Sequence, residues 1–196
     1  MKKFLEENKL LTRKLIHISF GIFILLFYTF FSREIILGFN LLLFSFSLMF
    51  SQYLKKNDVF FFSYLTKNFS KENEDPLMGF IYFVVGVSLS IYFFERNIAL
   101  ASISILTFGD SFSSLVGVKG KLKLKISKKN IEGIIAGIIA ATLISQIFIG
   151  IIPAFIGSFF GMIAEYVDFK TKFEMDDNIL ICLVSGIAIN IFKALF

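Results

Sequence analysis

The chain has 196 residues, of which 56% are hydrophobic, and a mean hydropathy of +0.78. These values exclude an ordinary water-soluble domain and indicate an integral membrane protein whose core is a helix bundle. The single cysteine, Cys182, excludes an intramolecular disulfide and a cysteine-rich metal site. The net charge of +5 has no nucleic-acid signature, so we expect membrane lipids or an anionic substrate as partners.

Seven apolar segments predict an all-α polytopic bundle that forms a single membrane domain over residues 1–196. A helix needs about 20 mostly apolar residues to cross roughly 30 Å of hydrocarbon. The sixth segment is short, which indicates a tilted or partly inserted helix. The predicted spans are residues 15–31, 34–54, 77–94, 97–118, 131–149, 153–167 and 178–195.

Basic residues are distributed unevenly between the two ends of these spans. With the N-terminus in the cytosol, every lysine and arginine except Arg33, Arg96 and Lys193 lies on the inner side. The positive-inside rule therefore predicts a cytosolic N-terminus. With seven spans, the C-terminus is then expected outside.

Three basic residues stand at the cytosolic mouth of the first span. Arg13 and His17 are four residues apart, and Lys14 and His17 are three apart, so they share a helix face. They form either a snorkelling anchor or part of a functional site.

The second and third spans are joined by a segment, residues 55–76, that mixes charged and aromatic residues. Such a composition predicts a helix lying in the headgroup plane. This helix either guides a lipid tail toward the site or serves only as an interfacial belt.

A carboxylate, Asp110, interrupts the apolar fourth span. An Asp in the middle of a bilayer helix costs roughly 2.5–3.5 kcal/mol, so such an acid usually serves an ion, a ligand or a partner. The alternative is an ion pair with a lysine of another helix that only holds the bundle together. Gly109 would permit a break in the helix. Small and polar residues share this part of the helix and favour a functional cavity, and they are Ser104, Thr107, Ser111, Ser114 and Gly117.

A lysine-rich loop, residues 118–130, follows the fourth span and includes Lys119, Lys121 and Lys129. Its alternating lysines predict an extended strip with one basic face, although the spacing of a P-loop is absent. Phosphates could be held by these lysines and by the amides that begin the fifth helix. The alternative is charge that only sets the topology.

Further carboxylates are expected on the same cytosolic side. Glu132 opens the fifth helix, where the helix dipole alone could also explain it, and Glu165 and Asp168 end the sixth span. Together with Asp110 they are candidate Mg²⁺ ligands, since Mg²⁺ prefers one or two carboxylates plus phosphate oxygens and water. Small residues such as Gly133 predict close packing of the fifth helix on the fourth. This convergence favours phosphoryl or nucleotidyl transfer to or from a lipid headgroup.

Four motifs carry a resemblance to a known family. They are Arg13-Lys14-Leu15-Ile16-His17, Gly109-Asp110-Ser111 with Ser114 and Gly117, Lys129 with Glu132-Gly133 and Gly137, and Glu165 with Asp168. In these motifs the chain resembles the CTP-dependent lipid kinases, a family that includes dolichol kinase, phytol kinase and CTP-dependent diacylglycerol kinase. The resemblance extends from residue 10 to the last helix.

The resemblance implies transfer of the γ-phosphate of CTP to the hydroxyl of a lipid alcohol, with Mg²⁺ as the cofactor. The alcohol would be a polyprenol, a shorter isoprenoid or a glycerolipid. Asp110 would position the metal or the phosphate, and Arg13, Lys14 and His17 would lie near the phosphates. The nucleotide would be held by Ser111, Ser114, Gly117, Lys119, Lys121, Lys129, Glu132 and Gly133.

Two other functions remain open at this point. The central motif is also similar to the signature of CDP-diglyceride synthases, which would make the protein a CTP:lipid-phosphate cytidylyltransferase. Their C-terminal Gly-His-Gly-Gly-x-x-Asp-Arg-like stretch corresponds here to Gly161-Met-Ile-Ala-Glu-Tyr-Val-Asp-Phe-Lys, and no histidine follows His17. A small transporter is the third hypothesis, against which we note no internal repeat. Glycine-rich helix faces suit either a tight bundle or an oligomer.

Overall fold

The computed structural model describes residues 2–57, 77–122, 130–166 and 176–196. Within these ranges the protein is all-α, and no strand occurs in them. The predicted interfacial segment and the loop residue Lys129 lie largely or wholly outside the described residues, as does Asp168. The helices are α1 (Lys2–Phe30), α2 (Arg33–Lys56), α3 (Met78–Phe93), α4 (Arg96–Ser104), a π-helical segment (Ile105–Asp110), α5 (Ser111–Gly117), α6 (Ile131–Ile149), α7 (Ile151–Tyr166) and α8 (Asp177–Leu195).

Helices occur at all seven predicted positions, but their lengths differ. In the described part of the chain, five helical stretches are long and apolar enough to cross a membrane. The helices α3 and α7 are apolar but have only 16 residues each. At 1.5 Å per residue each extends about 24 Å, short of roughly 30 Å of hydrocarbon. The five long stretches are Asn8–Phe30, Arg33–Lys56, Arg96–Gly117, Ile131–Ile149 and Asp177–Leu195.

The continuous helix Arg96–Gly117 is the centre of the bundle. In its most apolar stretch 78% of the residues are buried, against 22–28% in the other four long helices. The break that Gly109 would permit does not occur, because the helix continues and widens into a π-helical turn. Gly109 packs tightly: a Cβ added there would lie 2.7 Å from Met162 and 3.3 Å from Ala141. This packing leaves no free backbone at the glycine.

The predicted packing of the fifth span on the fourth is confirmed in the contact between α5 and α6. A Cβ added to Gly133 would lie 2.5 Å from the backbone oxygen of Ser113 and 2.9 Å from the Cα of Gly117. Only a residue without a side chain permits this approach. The two helices therefore meet backbone to backbone next to Asp110.

Two arginines join the turns at the other end of the bundle. Arg33 donates to the carbonyl of Phe94 at 2.5 Å, and Arg96 donates to the carbonyl of Thr29 at 2.8 Å. Arg96 also donates to the carbonyl of Tyr28 and lies 5.3 Å from the centroid of its ring. These contacts tie the α1–α2 turn to the α3–α4 turn. They also satisfy backbone carbonyls left open where helices end.

Candidate functional site

The site is built around a buried ion pair between α1 and the central helix. The Nζ atom of Lys14 lies 2.5 Å from Oδ2 of Asp110, and the two residues are 96 positions apart in sequence. Lys14 is 6% exposed and Asp110 is 7% exposed. The expected alternative of an ion pair between helices is thus present, because a carboxylate in an apolar bundle is stabilised by an opposite charge.

A histidine faces the same carboxylate. The Nε2 atom of His17 lies 3.8 Å from Oδ2 of Asp110 and has no hydrogen-bond partner among the described residues. The Nε2 atom is therefore directed toward the ion pair.

The approach of α1 to the central helix depends on a glycine. A Cβ added at Gly21 would lie 2.2 Å from Cγ2 of Thr107, one turn along α1 from His17. Any side chain at this position would push α1 away and move Lys14 and His17 from Asp110. π-helical turns such as the one that carries Thr107 and Asp110 are frequently found at functional sites.

Two serines of α5 each approach one buried carboxylate. The hydroxyl of Ser114 lies 3.5 Å from Oδ1 of Asp110, whereas Ser111 donates to the backbone carbonyl of Thr107 at 2.7 Å within its own helix. Ser113 donates to Oε1 of Glu165 at 3.4 Å, and Glu165 is 4% exposed. A second buried carboxylate, contributed by α7, is thus linked to the helix that follows Asp110.

Glu132 holds the described part of the loop after α5. Its Oε1 atom accepts hydrogen bonds from the backbone amides of Lys121 at 2.8 Å and Leu122 at 3.1 Å. Asn130 donates to the backbone carbonyl of Gly120 at 3.0 Å and also to that of Gly117. The carboxylate and the amide together fix the start of the basic loop, which favours the local role for Glu132.

The predicted carboxylate cluster is only partly assembled. Among the described residues, no three Asp, Glu, His or Cys side chains gather to hold a metal ion. Asp110 is paired with Lys14, Glu132 is bonded to the loop backbone, and Glu165 is bonded to Ser113. Two buried carboxylates, Asp110 and Glu165, nevertheless approach α5, and one or two carboxylates are the usual protein contribution to a Mg²⁺ site.

The remaining predicted residues occupy three kinds of position. Gly117 and Gly133 lie in the α5–α6 interface, where they allow close packing. Arg13 is half-buried on α1, while Lys119 and Lys121 are exposed at the start of the loop. The interface position of the two glycines follows from their missing side chains and gives no separate support for nucleotide binding.

Sequence reasoning missed three residues that shape the site. Gly21 allows α1 to approach the central helix closely. Ser113 donates a hydrogen bond to Glu165, and Asn130 donates to backbone carbonyls of the loop. Asn130 had a usable signal, since Asn directly before a helix commonly bonds to neighbouring backbone. Gly21 and Ser113 gave no signal that separated them from ordinary packing residues.

The assembled groups have a defined chemical capacity. A buried lysine can neutralise an anion that approaches Asp110, and an imidazole nitrogen without a partner can accept a proton from a hydroxyl group. Low dielectric surroundings strengthen both interactions. The arrangement therefore suits a reaction that deprotonates a hydroxyl beside an anionic group.

Comparison with known proteins finds similarity to an archaeal sequence. The chain is 31% identical over 126 residues to an uncharacterized protein of the archaeon Methanocaldococcus jannaschii, an alignment that covers 63% of each protein. No protein-family model matches the chain. No solved structure matches it either.

Proposed function

We propose that this protein is a lipid kinase that transfers the γ-phosphoryl group of CTP to the hydroxyl of a membrane lipid alcohol. The observation that carries the proposal is the buried contact of Lys14 and His17 with Asp110. It joins a cation, a carboxylate and a basic nitrogen, and the resemblance of the sequence motifs to CTP-dependent lipid kinases agrees with it. The donor nucleotide and the acceptor lipid are inferred from that resemblance.

In the proposed reaction the hydroxyl oxygen of the lipid forms a bond to the γ-phosphorus of CTP. The bond from that phosphorus to the bridging oxygen breaks, and CDP leaves. Nε2 of His17 accepts the hydroxyl proton, while Lys14 offsets charge on the transferred group. Asp110 and Glu165 would hold Mg²⁺, whose chemistry is to neutralise the charge that develops on the phosphates.

The proposal includes a topology of seven spans. The short helices α3 and α7 would cross as well, with the N-terminus and the site at the cytosolic face and the C-terminus outside. The excess of lysine and arginine on the proposed inner side supports this orientation. Lys119 and Lys121, both exposed, would then meet the nucleotide from the cytosol.

The test is a labelling experiment with purified protein in mixed micelles that contain Mg²⁺ and a panel of lipid alcohols. We expect label from the γ-phosphate of CTP, and none from the α-phosphate, to enter the lipid. Label that enters only from the α-phosphate, and only with lipid phosphates as acceptors, would instead make the protein a cytidylyltransferase. No label from either position would contradict both enzymes and favour a transporter.

A further inference from the structure

A chain of phenylalanine rings runs along α1 on the side of the candidate site. Phe20, Phe23 and Phe27 of α1 and Phe31, directly after its end, are spaced by three and four residues, so they lie on one side of the helix. The centroid of Phe23 is 6.1 Å from that of Phe20 and 5.7 Å from that of Phe27. Phe27 in turn lies 4.3 Å from Phe31. The rings therefore form a continuous apolar strip.

Rings from two other helices join this strip. Phe39 of α2 lies 6.0 Å from Phe23 and 5.2 Å from Phe27. Phe20 lies 4.8 Å from Phe80 and 5.7 Å from Phe83, both on α3. We call this group the aromatic cleft, and it consists of Phe20, Phe23, Phe27, Phe31, Phe39, Phe80 and Phe83.

The aromatic cleft begins at the ion pair. The His17 ring packs edge-on against Phe83 with centroids 4.7 Å apart, and Phe83 is 2% exposed. His17 also precedes Phe20 by three residues, which places both on one side of α1. The apolar strip and the buried Lys14–Asp110 pair thus adjoin each other.

Of the helices that carry these rings, α1 is joined only loosely to the other two. The backbones of α1 and α2 approach each other at few positions, whereas α2 packs closely on α3 and α1 packs on the central helix. Contact between α1 and α3 in the cleft is made through phenylalanine and histidine rings. Phe23 is 46% exposed and Phe31 is 41% exposed, so the cleft is accessible from outside the bundle at these two rings.

We propose that the aromatic cleft binds the hydrocarbon chain of the lipid substrate and so brings its hydroxyl to Lys14, Asp110 and His17. The inference rests on the proposed lipid kinase function. From His17 to Phe31 the strip extends about 21 Å at 1.5 Å per residue, which is most of the roughly 30 Å hydrocarbon layer. A single chain aligned with the helices can follow it without leaving the membrane.

The depth of the strip distinguishes it from an interfacial aromatic belt. Belts collect at the two headgroup levels, whereas these rings succeed one another along the helix axis.

The chain also offers a matched surface for comparison. Phe155 and Phe159 of α7 form a lipid-exposed aromatic pair, with centroids 6.1 Å apart, and none of the ring contacts of the described residues joins that pair to His17.

The test is photo-crosslinking of the wild-type protein in nanodiscs with a long-chain alcohol that carries a diazirine in its chain. We expect crosslinks to map to residues of the aromatic cleft and to be reduced by excess unlabelled alcohol of the same chain. The alkane of equal length, which lacks the hydroxyl, should compete poorly. Crosslinks spread over other surfaces such as α7, or removed equally well by the alkane, would overturn the proposal.

Two variants extend the test to turnover. Phe23→Ala should raise KM for the lipid alcohol by about two- to tenfold through loss of ring contacts, with KM for CTP unchanged. The control, Phe155→Ala, should change neither value. An unchanged lipid KM in Phe23→Ala would contradict the proposal.

The two proposals can fail separately. Hydroxyl-dependent crosslinks in the cleft without phosphoryl transfer would support the lipid site and contradict the kinase. Phosphoryl transfer without crosslinks in the cleft would support the kinase and contradict lipid binding by the aromatic cleft.

Discussion

Asp110 and Lys14 show how one pair of residues can stabilise the bundle and also prepare a site. Both charges are buried, so removing one leaves the other without compensation at a cost of about 3–5 kcal/mol. A single substitution therefore cannot separate stability from chemistry. What favours chemistry is the additional presence of His17, whose Nε2 atom has no hydrogen-bond partner in the described structure.

A double-mutant cycle can separate the two roles. We expect Asp110→Asn and Lys14→Gln each to lower the melting temperature in detergent and to stop label transfer from CTP. The double variant should recover much of the lost stability, because no isolated charge remains, yet stay inactive. Thermal unfolding and the labelling assay measure the two effects.

The exposed carboxylate Glu95 provides the control for this cycle. Glu95→Gln should change neither stability nor transfer, since surface substitutions usually have small effects. A double variant that regained both stability and transfer would assign the ion pair to folding alone.

Glu132 is a second single residue with a specific role, which is to hold the backbone of the loop. Its carboxylate accepts hydrogen bonds from the amides of Lys121 and Leu122, so Glu132→Gln should loosen the start of the loop. We expect faster trypsin cleavage after Lys119 and Lys121 and a higher KM for CTP, with little change in kcat. Equal cleavage rates in the variant and the wild type would contradict this role, and Glu95→Gln, an exposed carboxylate, serves as the control.

At the scale of elements, the central helix contacts α6 through backbone atoms, with no side chain between the two helices. Gly133 meets the backbone of Ser113 and Gly117, and Gly137 lies close to the backbone oxygen of Gly109. The spacing of α5 and α6 therefore sets where Asp110 and Ser114 point. Small residues at such interfaces allow backbone approach in lipid, where no hydrophobic force drives helices together.

Gly133→Ala should disturb this interface. The added methyl group would meet the backbone oxygen of Ser113 at 2.5 Å, and backbone cannot move aside as a flexible side chain can. We expect a loss of about 1–3 kcal/mol in the free energy of unfolding and reduced transfer. Gly38→Ala is the matched control, because a Cβ at Gly38 meets nothing within 4 Å. If Gly133→Ala and Gly38→Ala change the free energy of unfolding equally, the two helices must be able to move apart and accept the methyl group.

At the scale of the whole molecule, polar contacts separate to the two ends of the bundle. Lys14, Asp110 and Glu132 lie toward one end, and the arginine contacts of Arg33 and Arg96 join turns at the other. The proposed topology places the first group toward the cytosolic side of the bundle. This separation gives a direct test of orientation.

The single cysteine makes that test simple. Cys182 is fully buried, so an impermeant maleimide should not react with the wild-type protein in sealed, right-side-out vesicles. We expect Glu95→Cys to be labelled from outside, and Lys121→Cys only after the vesicles are opened. Labelling of Lys121→Cys in sealed vesicles would invert the topology.

The sequence by itself determined the helical class and the positions of the helices, and it singled out Asp110 as a carboxylate inside an apolar helix. Helix positions can be read from sequence because they depend on local hydropathy. A run of apolar residues in a membrane can satisfy its backbone hydrogen bonds within the run only by forming a helix. The same local signal did not fix how many helices cross, since α3 and α7 have 16 residues each. It also placed the start of the first span at residue 15, whereas the helix α1 begins at Lys2.

Only the tertiary structure decided which groups meet. Lys14 pairs with Asp110 across 96 positions, Glu132 turns to the loop backbone, and the central helix widens into a π-helical turn instead of breaking at Gly109. Among many lysines and carboxylates of similar local surroundings, a partner is selected by helix packing. That packing depends on glycines such as Gly21, whose missing side chain has an effect only when a second helix lies against it.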